Sequence, residues 1–290
     1  MQLYSIETGN FKLDGGAMFG VVPKSIWNKL NPADENNLCT WALRCLLVVD
    51  GARKILIDTG MGNKQDAKFF THYQPSNTVP LQTALSNVNI GVEEITDVLL
   101  THLHFDHVGG AIATSEGTFK TVFPNATYWV SEPHWNLAMA PNKREKASFL
   151  KENIEPLKSS GQLKLISIPP YQGKDRLQEI HFSENISCFV VCGHTESMLL
   201  PKIQMGSKTL VYMADLLPSV GHIPIPYIMG YDMQPLVTLN EKEFFLQEAL
   251  QKNYTLFFEH DPINECCDLH ITEKGIRANQ LFTLKQWLEA

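Results

Sequence analysis

The segment Thr101-His102-Leu103-His104-Phe105-Asp106-His107 follows directly on the apolar run Val98-Leu99-Leu100. It gathers three imidazoles and one carboxylate into a stretch too short to be a full element of its own. Neutral imidazole and carboxylate are the donors that zinc and similar borderline cations prefer. A helix through the segment would place His102 and Asp106 on one face. The apolar run before it and Gly109-Gly110 after it favour instead a strand that ends in a loop. Alternate residues then point the same way, so His102 and His104 converge on one ion. Asp106 and His107, past the turn, can face a second.

Composition is that of an ordinary globular protein with a substantial core: 44% hydrophobic and 19% charged residues in a chain of 290. A formal charge of −7 argues against a nucleic-acid partner, whose phosphates such a surface repels. The locally basic stretch Asn142-Lys143-Arg144-Glu145-Lys146 carries an interleaved glutamate and reads as a solvated helix face. The six cysteines show no C-x-x-C spacing, which predicts no disulfide framework and a reducing, cytoplasmic setting. The first residues have neither a basic nor an apolar export region, and no window approaches a membrane span.

Runs of β-branched and aromatic residues predict strands at 43–49, 54–57, 98–100, 127–130 and 163–168. A second series follows at 186–191, 202–205, 210–213 and 255–258. Short turns at Asp50-Gly51 and Gly206-Ser207 make two hairpins of these. Helices are expected within 80–95 and 131–157. Another should follow the capping-box pattern Thr238-x-x-Glu241, and a terminal one is expected over 273–288, where Ile276, Leu281, Leu284 and Leu288 recur at helical spacing. The Pro-rich stretch 218–235 reads as a long loop of the kind that is often functional. Strand sets in each half, interleaved with helices, suggest an α/β protein of two sheets packed face to face with helices outside.

One motif cannot close a metal site alone. Three further candidates end apolar runs: His194 in Cys192-Gly193-His194-Thr195, Asp215 after Leu210-Val211-Tyr212-Met213-Ala214, and His260 after Leu256-Phe257-Phe258-Glu259. With His102-x-His104-x-Asp106-His107, and with Asp58 in Ile57-Asp58-Thr59-Gly60, this ordered set resembles the metallo-β-lactamase fold superfamily of hydrolases. The resemblance implies an αβ/βα four-layer sandwich, two mixed β-sheets flanked by helices, as a single domain over 1–290 with an N-terminal extension over 1–40. It also implies two divalent metal ions, zinc being the expected metal. One ion would take His102, His104 and His194, the other Asp106, His107 and His260, and Asp215 would bridge both. Asp58 would hold the ligand loops in place. A hydroxide shared by the two ions would then attack a carbonyl or phosphoryl centre, with Asp106 or Asp215 passing a proton to the leaving group.

Fold does not fix the substrate. Gly193-His194-Thr195-Glu196-Ser197 departs from the Gly-His-Thr-Pro-Gly turn of glyoxalase II-like thioesterases. Nuclease members need a basic surface and further domains. The retained ligands and the segment Leu13 to Pro23 resemble the N-acyl-homoserine lactone lactonases of quorum quenching and the methyl-parathion-type hydrolases. Opening of an acylated lactone ring is therefore the expected reaction, with phosphotriester or aryl ester hydrolysis as the alternative. Known lactonases carry a tyrosine three residues after the bridging aspartate; here that position is Pro218, and His222, Tyr227 or Tyr231 would have to substitute, His222 being preferred. Met18, Phe19, Trp27, Phe105, Ile223, Ile225 and Met229 are candidates to line an apolar pocket. The segment 13–23 reads either as a flexible wall over an acyl chain or as a loop packed on the core. Its apolar character points to a homodimer, with no nucleic-acid or membrane partner.

Overall fold

The apolar runs become the strands of two mixed sheets. The computed structural model describes residues 1–170 and 177–290. Two units are distinguished: Met1–Gly9 with Leu43–Pro169, and Asn10–Ala42 with Pro170–Ala290.

The strands met first along the chain are β1 (Gln2–Asp14), β2 (Leu38–Asp50), β3 (Arg53–Ile57), β4 (Asp97–Leu99), β5 (Ile112–Ser115), β6 (Thr118–Thr121), β7 (Thr127–Ser131) and β8 (Leu163–Ile166). Six of them form a sheet in the order β1-β2-β3-β4-β7-β8, and β5 and β6 pair as a separate hairpin. The β2–β3 pair is antiparallel, while β3–β4, β4–β7 and β7–β8 are parallel. β4 therefore lies between two parallel neighbours. This is why Val98 and Leu99 form an unbroken apolar run with no exposed surface. Leu100 continues the ladder by one bond, its N–H donating to Trp129 O. The histidine motif then leaves the carboxyl end of the strand, the rim where parallel sheets present functional groups. Leu47, Leu56, Tyr128, Trp135 and Leu157 belong to the core of this unit.

The second unit holds β9 (Gln178–Ser183), β10 (Ile186–Val191), β11 (Met198–Met205), β12 (Lys208–Tyr212), β13 (Thr255–Phe257), β14 (Cys266–Thr272) and β15 (Gly275–Phe282). They form one sheet in the order β15-β14-β13-β12-β11-β10-β9. Among these described strands only β12–β13 pair in parallel, and a parallel pair requires a crossover. The helix Pro235–Gln251 supplies it.

That helix corrects the expected start at Thr238. It begins at Pro235, whose fixed φ and missing N–H suit the first helical position. Glu241 thereby serves elsewhere, its carboxylate accepting from Cys192 N–H (2.6 Å) and Gly193 N–H (3.0 Å). A Cβ on Gly193 would meet Thr238 Oγ1 at 2.2 Å, so only glycine lets the helix approach the turn before His194 this closely.

The terminal helix expected over 273–288 is mostly strand. β14 and β15 form a hairpin about Glu273-Lys274, with Thr272 opposite Gly275, and only Leu284–Glu289 is helical. Ile276 and Leu281 are five apart, which does not keep one helix face, and cross-strand bonding to β14 decides their conformation; Leu284 and Leu288, four apart, do lie in the terminal helix. The predicted excursions are shorter than expected: Leu81–Ser86 within 80–95, and Glu132–Met139 and Lys151–Ser159 within 131–157. Apart from a 3-10 turn at Val220–His222, residues 218–234 carry no helix or strand.

The segment 13–23 takes the packed alternative. Asp14 Oδ1 caps the one-turn helix Gly15–Phe19 by accepting from Ala17 N–H (2.8 Å). Met18 and Phe19 are buried, and Phe19 stacks on Trp27 at 5.6 Å and 3°. The described residues include all six cysteines and contain no disulfide. Among the described residues, no helix is long and apolar enough to cross a membrane.

Candidate metal centre

In the first unit the histidine motif is half loop and half helix. His102 and His104 lie in the turn after β4, and Asp106 and His107 sit in the short helix Phe105–Val108. His102 Nε2 and His104 Nδ1 approach to 3.0 Å. The other nitrogen of each ring faces an oxygen. His102 Nδ1 donates to Thr101 Oγ1 (3.0 Å), which in turn donates to Asp58 Oδ2 (2.7 Å). His104 Nε2 donates to Glu145 Oε1 (3.3 Å). With those protons so placed, the facing Nε2 and Nδ1 are both lone-pair donors turned on one point, an arrangement that a cation satisfies. His107 repeats the pattern. Its Nδ1 donates to Asp58 Oδ2 (3.1 Å), and its Nε2 turns inward, 3.8 Å from Asp106 Oδ2.

Asp58 is therefore a hub. It also accepts from Thr101 N–H (2.8 Å), while Thr59 N–H and Oγ1–H both donate to His107 O at 2.8 Å. These bonds tie the turn after β3 to both ends of the segment Thr101–His107. His134 Nε2 accepts from Leu103 N–H (2.8 Å) and fixes the backbone between the first two imidazoles.

Glu145 corrects the reading of 142–146 as a solvated face. It is 2% exposed, lies just before a 3-10 turn, and accepts from Asn142 Nδ2–H (3.1 Å) as well as from His104. The partner that buries this glutamate stands 41 residues away, where no local charge pattern can report it.

The second unit carries its own cluster. Asp215 lies between two imidazoles, with Oδ2 3.1 Å from His194 Nε2 and Oδ1 3.1 Å from His260 Nε2. Each ring is held from behind, His194 Nδ1 donating to Asp232 Oδ1 (2.9 Å) and His260 Nδ1 to Ala42 O (2.8 Å). Burial alone would lower the His194 pKa, but Asp215 and Asp232 outweigh it and push it up to about 10. Sequence reasoning missed Asp232; its one local sign is a carboxylate in the long loop after Asp215.

His222, proposed from the sequence as a donor to substrate, is used elsewhere. The ring is 1% exposed and stacks on Phe19 at 4.4 Å and 10°. Its Nε2 donates to Met18 O (2.9 Å), and its Nδ1 accepts from Ser219 Oγ (2.9 Å). Burial pushes its pKa down to about 3, so it is a neutral core histidine with both nitrogens committed. Of the proposed pocket residues, Met18, Phe19, Trp27, Phe105, Ile223 and Met229 are buried and Ile225 is half-buried.

Both clusters use the donor types that bind divalent ions, and each ring presents one nitrogen inward while an oxygen holds the other. The sequence model of the metallo-β-lactamase superfamily matches residues 44–260, which include every residue of these two clusters. The chain belongs to the metallo-β-lactamase superfamily. It is accordingly a hydrolase of this superfamily with residue clusters that can hold metal ions.

Solved structures agree on the fold. A probable metal-dependent hydrolase from Staphylococcus aureus is 26% identical with a TM-score of 0.86, covering 97% of this chain and 96% of its own. AidC, a dizinc quorum-quenching lactonase, is 20% identical with a TM-score of 0.77, covering 97% and 93%. AbOPH, a hydrolase of the β-lactamase superfamily, is 20% identical with a TM-score of 0.75, covering 98% and 94%. A search of curated proteins finds no significant match.

Proposed function

We propose that the protein is a dinuclear metal hydrolase that opens the lactone ring of N-acyl-homoserine lactones. The observation that carries the dinuclear part is Asp215, whose two carboxylate oxygens each lie 3.1 Å from a different imidazole nitrogen. A carboxylate so placed is suited to serve two ions at once. His102, His104 and His194 would hold one ion and Asp106, His107 and His260 the other, with zinc the expected metal for such a donor set. Two bound divalent ions supply Lewis-acid chemistry, making water nucleophilic near neutral pH and polarising the attacked group. The chain does the rest. Asp58, Glu145, Asp232 and Ala42 O fix the ring orientations. Asp106 and Asp215 are the carboxylates available to return a proton to the leaving oxygen.

The lactone as substrate is supported by the likeness to AidC, described with bound N-hexanoyl-homoserine, and by a second N-acyl homoserine lactone hydrolase at 18% identity and a TM-score of 0.67. The test is a comparison of zinc-loaded protein on N-hexanoyl-homoserine lactone, an aryl ester and a phosphotriester, with ring opening followed by proton release. Turnover of the lactone that disappears on chelation and returns with zinc supports the proposal. Turnover confined to the phosphotriester or aryl ester replaces it with the alternative hydrolase.

A further inference from the structure

The first unit contains a cavity of about 610 Å³, and none of the candidate metal ligands lines it. That volume falls within the range of small-molecule sites. Its apolar wall is supplied by Met61, Phe70, Val79, Leu81, Ile112 and Val122. Backbone and side-chain bonds hold this wall together. Val79 N–H donates to Thr8 O (3.1 Å), which fastens the segment 75–82 to β1. Thr8 Oγ1 donates to Leu43 O (2.7 Å) on β2, and Val122 N–H donates to Ala111 O (2.9 Å).

Lys64 is the only charged residue among the described residues that line the cavity. Its half-buried Nζ donates to Gly109 O. That oxygen would lie 2.7 Å from a Cβ on Gly62, and Gly62 and Gly110 both line the cavity. The bond to Gly109 therefore fixes the ammonium at the cavity wall. An ammonium carries three donors, so this bond leaves it able to take a ligand oxygen as well. Burial lowers the Lys64 pKa to about 8, with Glu152 working in the opposite sense, so the group is mainly cationic at pH 7.

The charge and the wall together select a class of ligand. One positive charge with no carboxylate on the lining matches one negative charge. A phosphate ester, nearer two charges at neutral pH, would leave one unmatched. The apolar wall suits a hydrocarbon chain. We propose that this cavity is a binding site for an aliphatic monocarboxylate, its carboxylate on Lys64 Nζ and its chain against Met61, Phe70 and Val122. The site is separate from the metal centre and does not depend on which bond that centre hydrolyses. Thr59 also lines the cavity, so an occupant would touch the turn that bonds His107 O.

The experiment is calorimetric titration of zinc-loaded protein at pH 7 with octanoate and with 1-octanol. The expected result is saturable binding of octanoate, at least about 10-fold tighter than that of 1-octanol. Lys64→Met should weaken octanoate by about 10-fold or more and abolish its preference over the alcohol. A crystal structure of the wild type with octanoate, which needs no variant, should show the carboxylate on Lys64 Nζ. Absent octanoate binding, equal affinity for acid and alcohol, or wild-type affinity in folded Lys64→Met would each overturn the proposal. So would a structure in which octanoate sits only on the metal ions. Each of these results leaves the hydrolase reading to its own test.

Discussion

His107 Nδ1 lies 3.1 Å from Asp58 Oδ2, and both side chains are fully buried. The same carboxylate accepts from Thr101 at the start of the motif, so one aspartate ties both ends of the ligand segment to the end of β3. It leaves the inward nitrogen of His107 as the lone-pair donor. Substituting Asp58→Asn replaces one accepting oxygen by a donating amide and conflicts with this tautomer. Zinc affinity measured by chelator competition should fall about 10- to 100-fold. An unchanged affinity would remove Asp58 from the machinery of the site.

Gly110 follows the motif closely. A Cβ there would stand 2.0 Å from Thr59 O, and Gly110 N–H donates to Gly60 O at 2.9 Å. Gly110→Ala must therefore push the 58–60 turn away from the ligand loop. The expected loss is about 2 kcal/mol or more in urea unfolding, accompanied by weaker zinc binding. A variant with wild-type stability and metal affinity would show that the turn gives way freely.

Lys242 sets a pH dependence of stability. It is buried, and its Nζ donates to the carbonyls of Pro224 (3.0 Å), Ile225 (3.3 Å) and Tyr227 (2.8 Å). Burial lowers its pKa to about 7, against the 10.5 of an exposed lysine, with Asp232 working in the opposite sense. Below about pH 7 both folded and unfolded chains hold the proton, and the cost of the buried charge is fully present. Between about 7 and 10.5 the unfolded chain holds a proton that the native state has released, so this residue's contribution to stability rises with pH. Urea midpoints of metal-free wild type and Lys242→Met, compared from pH 6.5 to 9.5, check it. The difference between them should shift in favour of the wild type as pH rises, and a pH-independent difference would contradict the assignment.

His222 should behave as a core residue. His222→Ala removes the ring stacked on Phe19 and leaves Met18 O and Ser219 Oγ without it. The expected cost is about 3 kcal/mol of stability. The kcat/KM of the folded protein should stay within about threefold of the wild type. A loss of more than a hundredfold in fully folded protein would restore His222 as a substrate donor.

Both sheets could be read from the runs 43–49, 54–57 and 98–100 in the first unit and 186–191, 202–205 and 210–213 in the second, because alternation and β-branched content are local properties. The hairpin Cys266–Thr272 with Gly275–Phe282 escaped because its half-buried residues carry no clean alternation, and its turn lacks the Asn-Gly or Asp-Gly pair that marks a tight hairpin. The helix start moved from Thr238 to Pro235 because Glu241, the other half of the apparent capping box, bonds the backbone at Cys192 and Gly193.

The sequence by itself determined which residues are the candidate donors: His102, His104, Asp106 and His107 behind an apolar strand, and His194, Asp215 and His260 at the ends of later runs. Adjacency along the chain is enough to set that, since a strand end delivers its next residues to one rim. Tertiary structure decided which nitrogen of each ring faces inward and which histidine is only core. Glu145 reaches His104, Asp232 reaches His194, and Met18 O takes the proton of His222 across separations of 41, 38 and 204 residues. A hydrogen-bond partner so far along the chain is chosen by how strands and loops pack, and no pattern of neighbouring residues encodes it.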